Sequence, residues 1–126
     1  MVWKARWLVW WIYVALWTTG LLLPLEAIEN LPGSELLASN KYLAAKSLHV
    51  AAYAMMAVLC GWLHLSARFR WIMIYFLMGH ATLTEILQKY VIPGRSGLLE
   101  DVAIDQAGIT IGLVLSWNWW IQKDEA

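Results

Sequence analysis

A single cysteine, Cys60, leaves this chain without a disulfide framework and without a cysteine-based metal site. It sits in an apolar run and reads as a small packing residue. Prolines number three and phenylalanines two. Charge is also scarce. Only 14% of the residues are charged, nine basic against nine acidic, for a formal net charge of +0. With no basic field, nucleic acid is not an expected partner. Absent too are a nucleophile elbow, an HExxH motif and a phosphate-binding glycine loop, which removes the commonest catalytic signatures. No repeat or low-complexity segment is visible.

What the 126 residues do contain is apolar side chains, 61% by residue, with a mean hydropathy of +0.57. That exceeds the ordinary range of a soluble domain and points to a membrane protein. Four apolar runs fall at approximately 7–25, 46–65, 71–91 and 98–121. Each is near the ~20 residues that cross a hydrocarbon core of ~30 Å. Lipid offers the backbone no hydrogen-bond partner, so runs of this length are expected to be helices. The sequence therefore predicts an all-α fold: one domain over 1–126, an integral membrane bundle of four transmembrane helices. Lys4 and Arg6 before the first run imitate a signal peptide, but the run is long and Thr18-Thr19-Gly20 is a poor cleavage site. It is read as a retained anchor helix.

Orientation follows from the basic flanks. Lys4 and Arg6 precede the first run, and Arg68 and Arg70 separate the second from the third. The positive-inside rule makes both flanks, and so both termini, cytoplasmic. Tryptophan supplies a check on alternation. Of the 10 in the chain, Trp3, Trp7, Trp62, Trp71, Trp117, Trp119 and Trp120 all fall at one face of a four-span bundle, where an indole meets both lipid and water. The connection after the first run carries Pro24 and Pro32, which oppose one continuous helix. Ser34 is placed to cap a short interfacial helix reaching Ser39, and Asn40 to cap the next span.

Polar side chains inside a bilayer are costly, so those interrupting the apolar runs mark the place to look for function. Lys46, His49 and Tyr53 share one face of the second helix at i, i+3, i+7. Glu85 and Gln88 are i, i+3 neighbours on the third. Asp101, Asp105, Gly108 and Gly112 form one stripe of the fourth. Arg95 lies in the turn Pro93-Gly94-Arg95-Ser96-Gly97. By depth, all the polar members of these sets belong to one end of the bundle, the outer end in this orientation. Asp105 lies roughly 10 Å into its span at 1.5 Å per residue. Gly108 and Gly112 form a Gly-xxx-Gly pair suited to close packing inside the bundle, and Gly20 and Gly79 are expected to serve similarly. Gln106 falls one residue off the stripe.

The segments Lys46-Ser47-Leu48-His49-Val50-Ala51-Ala52-Tyr53, Glu85-Ile86-Leu87-Gln88, Gly94-Arg95 and Asp101 to Gly112, in that order, resemble the VanZ-like family of small bacterial membrane proteins. The resemblance covers roughly residues 40 to 115. It departs from the family pattern at Ala45, commonly acidic, and at Asp105, commonly Asn. It implies a multi-pass protein of the bacterial cytoplasmic membrane and a link to susceptibility to the glycopeptide teicoplanin. It implies no reaction.

Three readings of the cluster stay open. It is a structural ion-pair and hydrogen-bond network fixing helix register. Or it is an extracytoplasmic-side pocket for the head group of a lipid or a lipid-linked envelope precursor, with Lys46, His49 and Arg95 supplying positive charge and Gln88 an amide. Or it is a membrane enzyme using His49 with two carboxylates as acid and base. The enzyme reading is the least favoured of the three. No cofactor and no metal are assigned. His49, Glu85 and Asp101 have suitable donor atoms at an undiagnostic spacing. Membrane lipid is the expected partner. A different class of reading makes the chain an accessory subunit of a larger membrane complex. His64 is read as interfacial, and His80, mid-span in a stripe with Thr84 and Gln88, as a hydrogen-bonded helix contact rather than a haem ligand.

Overall fold

The computed structural model describes residues 1–22, 41–92 and 99–121, with the side chains of 41–45 excepted. Every regular element among them is helical: α1 (Val2–Leu22), α2 (Lys41–Trp62), α3 (Ala67–Tyr90), α4 (Leu99–Leu115) and the single turn α5 (Trp117–Trp120). The all-α expectation holds. Among the described residues no helix is long and apolar enough to cross a membrane, so helix hydropathy does not itself carry the four-span expectation. The expected helix from Ser34 to Ser39, the cap at Asn40 and the turn containing Arg95 lie outside the described residues.

The helices alternate in direction. Arg6, near the start of α1, donates from Nη1 to the carbonyl of Trp62 at the end of α2 (3.0 Å), and its guanidinium lies over the Trp62 ring. Arg70, near the start of α3, donates from Nε to Leu65 O and from Nη1 to Trp120 O, both at 2.7 Å. Each arginine thus satisfies a carbonyl left over at a helix C-terminus, Trp62 O or Trp120 O, where positive charge also suits the dipole. Trp119 packs near His64 at the same end. The tryptophan pattern expected for alternating helices is the one observed.

Local chemistry sets the breaks. Helix α2 closes with tight bonds from Leu63 N–H to Cys60 O and from His64 N–H to Gly61 O. His64 then takes a left-handed conformation, φ 54°, normally a glycine position after a helix. Replacing His64 by glycine should raise stability by about 0.5–1 kcal/mol, read as a higher unfolding midpoint. Ser116 ends α4 by turning its hydroxyl back to Gly112 O (2.6 Å) while accepting the Trp120 indole N–H (2.9 Å). The last turn, α5, is thereby set off from α4, so the fourth apolar run is two helices rather than one.

Packing centres on α2, which touches α1, α3 and α4, and its interface with α4 is the most extensive. The reason is the glycine pair. A Cβ on Gly108 would lie 2.7 Å from Val50 O, and one on Gly112 would lie 2.7 Å from Ala57 Cβ and closer still to Ala54 O. The two helices therefore meet backbone to backbone, where many short dispersion contacts accumulate. Gly20 and Gly79 differ: a Cβ at either would find nothing within 4 Å, so the close packing expected there is not made. Trp10, Tyr53, Met56, Leu63 and Leu77 are fully buried in the core between the helices.

Candidate functional site

The polar stripes of α2, α3 and α4 converge. Helix α2 turns Lys46 and His49 toward α4, whose first turn carries Glu100 and Asp101, where acids also complement the helix dipole. Lys46 pairs with Asp101. One turn deeper, His49 Nδ1 lies 2.8 Å from Asp105 Oδ1 and 3.8 Å from Glu85 Oε1. The i, i+3 spacing on α2 and the i, i+4 spacing on α4 make these two matching rungs. Trp17 of α1 sets its ring edge-on to His49, centroids 5.6 Å apart, and so holds the imidazole plane.

Burial makes the second rung unusual. Asp105 is 0% exposed and Glu85 3% exposed. Neither oxygen of Glu85 has a hydrogen-bond partner, nor does Asp105 Oδ2. Buried polar groups are ordinarily paired, and an orphaned one costs about 1–3 kcal/mol, more when charged. Two acids facing one imidazole form a buried acidic cluster with bonding capacity left over.

A second polar chain runs deeper. Thr18 Oγ1 meets His80 Nε2 at 2.7 Å, and Tyr53 OH stands 3.1 Å from both His80 Nδ1 and Thr84 Oγ1. Thr84 donates to Ala81 O. One direction of donation satisfies all of these with a neutral imidazole. Thr18 O–H donates to Nε2, Nδ1–H to the Tyr53 oxygen, Tyr53 O–H to Thr84 and Thr84 O–H to the backbone. His80 therefore acts as the helix contact expected of it, with both ring nitrogens occupied. Tyr53→Phe would break two links of this chain, and a loss of about 1–3 kcal/mol in unfolding free energy is expected.

The sequence-predicted set divides accordingly. His49, Glu85 and Asp105 meet at one point, and Lys46 with Asp101 adjoins them. Tyr53 belongs to the His80 chain. Gln88, expected to offer its amide to a ligand, instead donates to Leu21 O at 2.6 Å, tying α3 to the end of α1. Arg95 lies outside the described residues. The metal grouping weighed from sequence, His49 with Glu85 and Asp101, is not the one assembled, since Asp101 turns to Lys46 and Asp105 takes its place. Gln106, off the stripe, donates to Met78 O of α3. Thr18 and Trp17 were not singled out by sequence. Thr18's only signal was polarity within an apolar run, and its partner on α3 lies 62 residues away.

Comparison with known proteins identifies a family. The sequence model of the VanZ/LLP1 family matches residues 5–121. No curated protein and no solved structure matches the chain.

Proposed function

The chain belongs to the VanZ/LLP1 family, and from that premise we propose that it is a multi-pass protein of the bacterial cytoplasmic membrane. Its polar site, at the outer ends of α2, α3 and α4, binds the head group of a lipid or of a lipid-linked envelope precursor and so affects susceptibility to glycopeptides such as teicoplanin.

The observation that carries this reading is the buried His49–Glu85–Asp105 cluster with unpartnered carboxylate oxygens. It offers directed bonding capacity at one end of the bundle. The outward surface supports a lipid setting. Leu8, Ile12, Leu16, Leu48, Met55, Ile72, Tyr75, Leu83, Ile86, Ile111 and Val114 are all exposed, a spread of apolar surface that invites aggregation in water. Helices α1, α2 and α3 have 21, 22 and 24 residues, about 31–36 Å at 1.5 Å per residue. Their hydropathy is lowered by basic residues near the helix ends, by the inward polar set just described and by the indole and phenol rings, which are amphipathic rather than charged. Polar residues confined to the bundle interior are compatible with a lipid-facing exterior.

The test is Glu85→Gln expressed in the native host, scored for folded yield and teicoplanin sensitivity. Wild-type yield with sensitivity shifted to that of a strain lacking the protein is expected. Wild-type yield with unchanged sensitivity contradicts the envelope role.

A further inference from the structure

We propose that His49, Glu85 and Asp105 form a binding site for one divalent first-row transition-metal ion of the Zn2+ or Mn2+ kind. The inference rests on the geometry of these three side chains, the cluster that also carries the head-group reading, and does not require that reading to hold.

The donor set comes first. One imidazole nitrogen and two carboxylates suit Zn2+, Mn2+ or Fe2+, whereas Ca2+ asks for six to eight oxygens and Mg2+ for a near-ideal oxygen octahedron. One donor atom from each residue lies within 4.8 Å of the other two. Bonds of about 2.0–2.2 Å to a tetrahedral ion put ligand atoms roughly 3.5 Å apart. The observed His49 separations of 2.8 Å to Asp105 and 3.8 Å to Glu85 bracket that value. The separation between the two acids, within 4.8 Å, closes to that value with side-chain adjustments of about an ångström.

The second observation is independent of the clustering. Glu85 is 3% exposed and both its oxygens lack partners, and the fully buried Asp105 has one such oxygen. A dication would neutralise the two carboxylates together and supply the bonds those oxygens lack. It would bind His49 at Nδ1, the ring nitrogen that already faces both acids. The supporting shell is present as well: the Trp17 ring fixes the imidazole plane, and the Lys46–Asp101 pair adjoins the site on the same two helices. Three protein ligands leave a further coordination position open, as in sites that bind an exchangeable ligand.

The experiment uses the full chain in detergent micelles, stripped with a chelator and titrated with Co2+, with Zn2+ as competitor. One equivalent of Co2+ giving visible d–d absorption, displaced by Zn2+, is expected. The Zn2+ complex should also unfold at a higher temperature than the stripped protein. His49→Ala, Glu85→Gln and Asp105→Asn should each weaken binding by more than about 100-fold, while His64→Ala leaves it unchanged. Helical circular dichroism and elution volume verify each variant's fold. Absence of stoichiometric binding and of a thermal shift in the unmodified protein overturns the proposal, and needs no variant to fold. So does binding that survives both Glu85→Gln and Asp105→Asn, or that is lost with His64→Ala.

Discussion

Gly112→Ala is expected to cost several kcal/mol and to remove most of the folded protein recovered after extraction. Insertion of a methyl group into a packed interior ordinarily costs about 1–3 kcal/mol, because neighbouring side chains can shift. Here the obstacle is mainly backbone: the new Cβ would run into the carbonyl of Ala54 and lie 2.7 Å from Ala57 Cβ. Relief requires α2 and α4 to separate, and theirs is the most extensive helix interface among the described residues. Gly108→Ala, 2.7 Å from Val50 O, should act in the same direction. Gly20→Ala and Gly79→Ala are the controls. With nothing within 4 Å, they should be neutral or stabilising by up to about 1 kcal/mol through helix propensity. Monodisperse yield and unfolding in mixed micelles read all four. A Gly112→Ala protein as stable as the unmodified one would show that the two helices do not meet at these glycines.

His49→Leu should be nearly as damaging, at about 3–5 kcal/mol, for an electrostatic reason. Removing the partner of a buried charge leaves that charge uncompensated, which costs far more than the intact pair contributes. Leucine removes the imidazole that faces Glu85 and Asp105, while both acids stay buried. The same reasoning predicts rescue. Adding Glu85→Gln and Asp105→Asn to His49→Leu replaces both carboxyl groups by neutral amides at nearly constant volume and should recover more than half of the loss. Equal stability of the single and triple variants would mean that the three side chains are not energetically coupled.

Much of this was legible in sequence because period and depth are geometric. Spacings of three and four residues placed Lys46 with His49 and Asp101 with Asp105, each pair on one helix face. The common depth of the runs brought Glu85 to the same level. The Gly108–Gly112 spacing announced close packing, and the aromatic ends announced alternation. Side-chain partners across helices were not legible, because they depend on rotation about each helix axis, which hydropathy leaves loose. A small rotation decides whether His49 meets Asp101 or Asp105, and the tertiary packing of α4 on Val50, Ala54 and Ala57 settles it for Asp105. The same freedom hid the turn of Gln88 toward Leu21 O and the seating of Thr18 on His80. The break at Ser116 was hidden for another reason: it rests on a serine that bonds back to its own helix, a choice that apolar periodicity does not register.

On the proposed reading, the polar cluster occupies the outer end of a membrane-embedded helix bundle. The most direct test of that placement is thiol labelling of intact cells with a membrane-impermeant maleimide. Ser96→Cys and Ser66→Cys are each placed in a Cys60→Ser background, with lysed cells as the reference. Ser96 lies between α3 and α4, and Ser66 between α2 and α3 at the arginine-rich end. Labelling of Ser96→Cys in intact cells, and of Ser66→Cys only after lysis, is expected. Equal labelling of the two positions in intact cells, the reverse pattern, or release of the protein from membranes by alkaline carbonate would contradict that reading.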